Sequence, residues 1–234
     1  MSRAVITSSA TPEVWTIVVA GGSGTRFGKP KQFELIAGRM VINWSTAVAA
    51  GLGSVVAVVP SADLETAAVD DADIVVAGGS TRSESVRLGL AAVPQTARAV
   101  LVHDAARPLA DRALFDRVLD AVSAGAPAVI PVVPVADSLR WRTDTDQGGP
   151  VIDRASVVAV QTPQGFDPSV LRRAHDVSTA GHGAAGSATD DASLVEALGV
   201  AVTTVPGDPA NFKITTPVDL SVAIDILTRR SGPS

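Results

Sequence analysis

The chain has no cysteine among its 234 residues. Disulfides and thiolate metal sites are therefore excluded, and the composition suits a reducing compartment; the cytoplasm is the expected location. Its three histidines, His103, His175 and His182, are too scattered for a zinc-ligand spacing. Aromatic residues make up only 3% of the chain, so the core has to be built from Val, Ala, Leu and Ile. No stretch approaches the roughly 18 consecutive apolar residues of a membrane span, and no membrane partner is expected. Few aromatics and a formal net charge of −5 argue against a nucleic-acid partner. Residues 1–13 lack the apolar core of a signal peptide and read as a disordered tail, as do residues 230–234.

What is present is a 46% hydrophobic composition, enough for a sizeable core in one large domain or two small ones. Strands are expected at Val14–Ala20, Ser54–Val59, Ile74–Ala77, Ala99–His103, Ala128–Pro131, Val157–Gln161 and Ala201–Val205. Helices are expected between them at Val41–Ala50, Ala62–Val69, Ser83–Ala92, Asp111–Ala124, Pro168–Val177, Asp190–Leu198 and Pro217–Thr228. Near-continuous apolar strands alternating with helices predict an α/β fold, a single doubly wound and mostly parallel sheet covered on both faces. No repeat or linker divides the chain, so residues 14–229 form one domain. The segment from Val133 to Asp153 breaks the alternation, being polar, Gly-rich and long for a structureless loop. It predicts a projecting β-hairpin arm over residues 134–156, with halves at Ser138–Arg142 and Pro150–Arg154.

The most informative stretch follows the first strand. Ala20-Gly21-Gly22-Ser23-Gly24-Thr25-Arg26 runs into Phe27-Gly28-Lys29-Pro30-Lys31, placing three cations within six residues just after the glycines. Glycines let backbone N–H groups approach an anion closely, and the cations neutralise a polyphosphate. The stretch is neither a P-loop, because Gly28-Lys29 is followed by Pro30, nor a dinucleotide fingerprint, because Phe27 stands where the third glycine belongs. A nucleotide-triphosphate loop and a plain Gly-rich turn with solvated cations both remain open at this point.

Ligands of open parallel sheets sit beyond the carboxyl ends of the strands, which directs attention to the other junctions. Gly78-Gly79-Ser80-Thr81-Arg82-Ser83-Glu84-Ser85 reads either as a close-approach turn offering the Ser85 hydroxyl to a base, or as a serine-capped helix start. His103-Asp104-Ala105-Ala106-Arg107-Pro108 puts an acid at a strand end. Asp104 suits Mg²⁺ or substrate hydroxyls and Arg107 a phosphate; the alternative is an Asp104–Arg107 surface pair, worth about 0–1 kcal/mol. His103 reads as a hydrogen-bonded, partly buried residue rather than a base. Thr162-Pro163-Gln164 closes another strand, Thr189 reads by default as a helix cap, and Lys213 is an isolated lysine ahead of the last helix.

Taken in order from Trp15 to Thr228, these motifs resemble the 2-C-methyl-D-erythritol 4-phosphate cytidylyltransferase family. The resemblance rests on the glycine loop with Arg26, Pro30-Lys31-Gln32, Gly78-Gly79 with Arg82 and Ser85-Val86, His103 to Pro108, Asp153-Arg154, Thr162-Pro163-Gln164, Thr189-Asp190 and Asn211 to Ile214. It implies a Rossmann-like nucleotidyltransferase fold, transfer of a cytidylyl group from CTP to methylerythritol phosphate, and Mg²⁺ bound mainly through the CTP phosphates. It also implies a homodimer whose arms reach into the neighbouring site. Carried over by motif, Arg26, Lys31 and Lys213 would surround the α-phosphorus. Ala20, Gly21, Gly22, Gly24, Gly79, Ser80, Ser85, Asp104 and Ala105 would hold the nucleotide. Asp104, Arg107, Ser138, Arg154, Thr162 and Thr189 would contact the polyol phosphate, with Ser138 and Arg154 coming from the partner's arm. Ser80 departs from the aspartate often found there, and Ser138 from a threonine. A ribitol-5-phosphate-type cytidylyltransferase is the nearest rival, and an inert nucleotide-binding regulator is the alternative of another class.

Overall fold

Six β-branched or aromatic residues, Val14–Val19, form strand β1, which is buried along nearly all its length. The computed structural model describes residues 13–20, 31–145, 147–179 and 190–231, with only the backbone of Lys31 and Ser231. Strands β2 (Leu35–Ile36) and β3 (Arg39–Met40) form a small antiparallel ribbon. Its two turn residues, Ala37 and Gly38, both have positive φ, the geometry that matches the twist of a two-residue hairpin. Helix α1 (Val41–Ala50), β4 (Ser54–Val59), β5 (Ile74–Ala77), α2 (Arg82–Ala92), β6 (Ala99–Asp104), α3 (Arg112–Ser123) and β7 (Ala128–Pro134) follow. The arm carries β8 (Leu139–Arg140) paired antiparallel with β9 (Val151–Ile152). The chain returns through β10 (Val158–Val160), β11 (Gln164–Phe166), α4 (Pro168–Thr179), α5 (Asp191–Glu196), β12 (Thr203–Pro206) and α6 (Pro217–Ser231).

The eight-stranded sheet runs β10-β7-β11-β6-β1-β4-β5, with β12 paired to β7. β1 is parallel to β4 and β6, and β5 to β4, while β10 and β11 are the antiparallel members. Alternation along the strands feeds two cores. Ile17, Val19, Val56, Val58, Val100 and Val102 pack under α2, α4 and α5; Val18, Val55, Ala57 and Leu101 pack with Leu114, Phe115 and Val118 of α3 on the other face. Both faces being apolar is why these strands read as continuous hydrophobic runs. A Cβ on Gly89 would stand 2.7 Å from Ile17 Cγ2, so glycine permits the close approach of α2 to the sheet. No helix among the described residues is long and apolar enough to cross a membrane.

The structure corrects several sequence expectations. Residues 62–69 are not a helix beyond the single 3-10 turn Ser61–Asp63. Asn43 Nδ2 donates to Ala68 O and Asp70 Oδ2, and Asp70 N donates back to Asn43 Oδ1, which draws the segment away from helical geometry. Gln164–Phe166 is a separate strand between β6 and β7 rather than the end of the preceding one. The caps of α2 and α5 are Thr81 and Asp190. α6 extends to Ser231, so Arg230 belongs to a helix, where it donates to Leu109 O, and not to a tail.

Candidate active site

From β1 the chain builds β4 and β5 on one side, then crosses to β6 on the other. The strand order therefore reverses between β1 and β6, and their carboxyl ends open a crevice where parallel sheets take ligands. Val19 lies opposite Asp104 in the ladder, and Ala105 N donates to Val19 O. The carboxyl end of β1 thus lies beside Asp104. Gly21, Gly22, Gly24 and Arg26 of the glycine loop, and Thr189, lie outside the described residues. Lys31 opens a 3-10 turn, Lys31–Phe33.

Asp104 is the centre of the crevice. Its Oδ1 accepts from Arg82 Nε at 3.0 Å and its Oδ2 from Lys213 Nζ at 2.6 Å. Burial alone would raise this carboxyl, but the charges of Arg82 and Lys213 outweigh it and hold Asp104 well below the usual carboxylate range. The alternative reading, an Asp104–Arg107 surface pair, is not formed here; the partners of Asp104 are Arg82 and Lys213. Arg107 Nη1 instead donates to Asn211 O at 2.8 Å, and its buried Nε has no hydrogen-bond partner among the described residues. Burial pushes the Arg107 guanidinium below its ordinary value.

Behind Asp104 runs a neutral chain whose protons can be assigned from its ends. A carbonyl only accepts, so His103 Nε2 carries the hydrogen it donates to Arg107 O. His103 Nδ1 then accepts from the Thr162 hydroxyl, whose oxygen accepts from Asp104 N at 3.0 Å. His103 is fully buried, and burial lowers it to about 4, so it stays neutral.

Lys213 is aimed by its loop. Asn211, completely buried, donates Nδ2 to Thr162 O, while Gln161 Nε2 donates to the carbonyls of Asp208 and Asn211. Ile214 N closes the loop onto Ala106 O. The Thr162-Pro163 peptide is cis, and the next residue, Gln164, donates to Asp190 Oδ2 at the start of α5. The Thr-Pro-Gln motif therefore ties β6, the Lys213 loop and α5 together.

A family profile described as IspD, 2-C-methyl-D-erythritol 4-phosphate cytidylyltransferase, matches residues 14–229. The protein of that name from Streptomyces coelicolor is 44% identical, over 92% of this chain and 84% of its own. That from Nocardia farcinica is 42% identical, over 94% and 96%. The chain belongs to the 2-C-methyl-D-erythritol 4-phosphate cytidylyltransferase family. The fold agrees: the crystal structure of the Thermus thermophilus enzyme superposes with a TM-score of 0.77 at 34% identity, over 91% of this chain and 98% of that one.

Against that family assignment, the residues expected to line the site divide. Asp104, Lys213, Thr162 and Ala105 do converge on the crevice, and Arg107 stands at its rim. Ala105 does not present a free amide, because its N–H goes to Val19 O and its carbonyl accepts from Ser45 Oγ. The Thr162 hydroxyl proton is committed to His103, which leaves that oxygen able only to accept. Ser85 is 1% exposed; its hydroxyl donates to Thr81 O and accepts from Gly79 N, so it fixes the Gly79 turn rather than offering itself to a base. A Cβ on Gly78 would meet that same Oγ at 2.9 Å, which explains the glycine there. Ser80 gives its N–H and hydroxyl to Glu84 Oε2. Ala20 N is taken by Val58 O.

On this chain Ser138 and Arg154 are exposed on the arm, and Arg154 Nη1 donates to Ala136 O. Among the described residues, no hydrogen bond or ion pair joins either of them to the Asp104 cluster. Each Asp104 oxygen meets a cation, and no group of three metal-ligating side chains gathers among the described residues. The residue that was missed is Arg82. Sequence marks it as part of a Gly-Gly-Ser-Thr-Arg turn and of the motif set that carries the resemblance, with no role at the site, yet its guanidinium joins Asp104 to Asp191.

Proposed function

We propose that this chain transfers the cytidylyl group of CTP to 2-C-methyl-D-erythritol 4-phosphate, releasing pyrophosphate. The observation that carries the reading is the Lys213–Asp104–Arg82 cluster at the β1/β6 switch point, in a chain matching the family from residue 14 to 229. A phosphate oxygen of the polyol is already nucleophilic at neutral pH, so no general base is needed, in keeping with the neutral, buried His103. It attacks the α-phosphorus in line as pyrophosphate leaves, with no covalent intermediate on the protein. Two anions have to meet, and the protein's contribution is positioning and charge neutralisation. Among the described residues Lys213 spends one of its three ammonium donors, on Asp104, and it is 38% exposed, which suits it to charge growing on the α-phosphoryl group. Arg26 and Lys31 supply further positive charge from the loop, and Gly21, Gly22 and Gly24 its backbone donors. Asp104 retains lone pairs for a substrate hydroxyl, and Arg107 grips the polyol phosphate.

Mg²⁺ would be carried mainly by the CTP phosphates and would supply further charge neutralisation; no group of three metal-ligating side chains gathers for it among the described residues. Ser138, Arg154 and Thr189 complete the polyol site, the first two from the arm of a second copy. The arm supports this, because it leaves Trp141 and Val151 64% and 65% exposed while pairing only β8 with β9. The test is pyrophosphate release from CTP, ATP, GTP and UTP, each with methylerythritol phosphate or ribitol 5-phosphate. Release is expected to be greatest for CTP with methylerythritol phosphate. Faster turnover of ribitol 5-phosphate overturns the choice of alcohol, and release from no pair overturns the activity.

A further inference from the structure

Beyond the crevice the polar chain continues into the helical layer. Asp191, at the first turn of α5, is wholly buried, yet both its oxygens are used. Oδ2 accepts from Arg82 Nη1 at 2.7 Å, and Oδ1 accepts from His175 Nε2 of α4 at 3.1 Å. Burial opposes its charge, but Arg82 and the His175 hydrogen bond prevail and lower it. Arg82 uses a different nitrogen, Nε, for Asp104 Oδ1, and Asp104 gives its other oxygen to Lys213. A path of alternating charge thus runs Asp191–Arg82–Asp104–Lys213 and joins α5, α2, β6 and the loop before α6.

We infer that Asp191 is a positioning residue for the transfer, acting through Arg82 and Asp104 to set the place of Lys213; this rests on the role of Lys213 proposed above. The guanidinium is planar and rigid, so holding it at Nη1 fixes the direction from which Nε meets Asp104. Without the Asp191 charge, Arg82 has one carboxylate left and turns both edges toward it. It then competes with Lys213 for Asp104, and Lys213 loses its fixed station. As a stability device the arrangement is poor, because desolvating buried charges offsets most of their attraction. Its far end, however, is a lysine that is more than a third exposed to the crevice.

A kinetic cycle separates positioning from mere support. Asp191→Asn, Lys213→Ala and the double variant are assayed beside the wild type, with folding checked by thermal melts. Asp191→Asn is expected to lower kcat about tenfold, within the range of coupling between linked residues, with little change in the KM for CTP, and to cause no further loss in the Lys213→Ala background. An equal loss in both backgrounds, or an unchanged kcat, overturns the inference. If Asp191→Asn does not fold, Arg82→Lys, which keeps the charge but lacks the rigid planar fork that fixes the two carboxylates in direction, carries the same cycle with the same expectation. A second readout needs no substrate: acetic anhydride labelling of Lys213, mapped by peptide mass. Labelling is expected to speed up in either variant relative to the other lysines, and an unchanged rate overturns control of Lys213 by Asp191. Wild type inactive on CTP and methylerythritol phosphate would instead overturn the functional reading, which the labelling distinguishes from failure of the relay.

Discussion

Lys213 bonds Asp104 directly, whereas His103, the residue before Asp104, is held neutral by burial. Lys213 is 38% exposed, and in the role proposed for it the contribution grows when the α-phosphoryl group gains charge. Lys213→Ala is expected to lower kcat by about 10²–10³-fold, by analogy with removing one oxyanion donor, while the KM for CTP changes far less. Lys31→Ala should behave alike, and near-normal kcat in either variant removes that lysine from the charge-stabilising set. His103 is useful because it is neutral. Folded, it takes a proton only near pH 4, whereas the unfolded chain takes one near its ordinary value of about 6.5. The unfolded state therefore binds more protons between these limits. Stability is full above the window and falls as pH drops through it, by about 3 kcal/mol in all. His103→Gln, which keeps a donor for Arg107 O, should flatten that part of the urea-stability profile. A slope equal to that of wild type between pH 6.5 and 4 would contradict the assignment of the neutral imidazole.

At the scale of elements, the three-residue strand β11 holds the site together, pairing with both β6 and β7 just after the Thr162-Pro163 turn. Helix α3 lies directly on it: a Cβ on Gly165 would stand 2.6 Å from Val118 Cγ1 and 2.8 Å from Val122 Cγ2. Gly165→Ala is expected to cost about 1–3 kcal/mol through overpacking, seen as a lower urea midpoint at constant slope. An unchanged midpoint would mean that α3 yields freely. This strand was not legible in the sequence, because Gln164-Gly165-Phe166 is too short for periodicity and sits between Pro163 and Asp167-Pro168. Long-range pairing makes it a strand. The error at residues 62–69 has the opposite sign, with local helix pattern overridden by Asn43. The parallel strands and most helices were legible because each carries its own apolar alternation, and Asp111 caps α3 as its place before an apolar stripe implies. Arg82 was not, since its partners lie 22 and 109 residues away in the chain. The hydroxyls of Ser85 and Thr162 illustrate the same limit: a motif fixes which residue stands at a junction, while only the folded neighbours decide what its proton does.

At the scale of the whole molecule, the arm exchange proposed above would turn one chain's site into a property of two. If each site combines one subunit's loop with its partner's arm, then Lys31→Ala and Arg154→Ala chains, unfolded and refolded together, form mixed dimers with one intact site and one doubly defective site. Random pairing makes mixed dimers about half the population, so activity should recover to about a quarter of wild type if the sites are independent. No recovery, with mixed dimers confirmed by mass, would assign the arm to its own subunit and leave the chemistry untouched. The chemistry itself is tested most directly by following the phosphorus that moves. With CTP labelled at the α-phosphorus, a single turnover in the presence of methylerythritol phosphate should place all the transferred label in the CDP-alcohol, with unlabelled pyrophosphate and none on the protein. Label retained on the protein, or appearing in CMP with no CDP-alcohol formed, would contradict direct in-line transfer between two substrates held at the β1/β6 crevice.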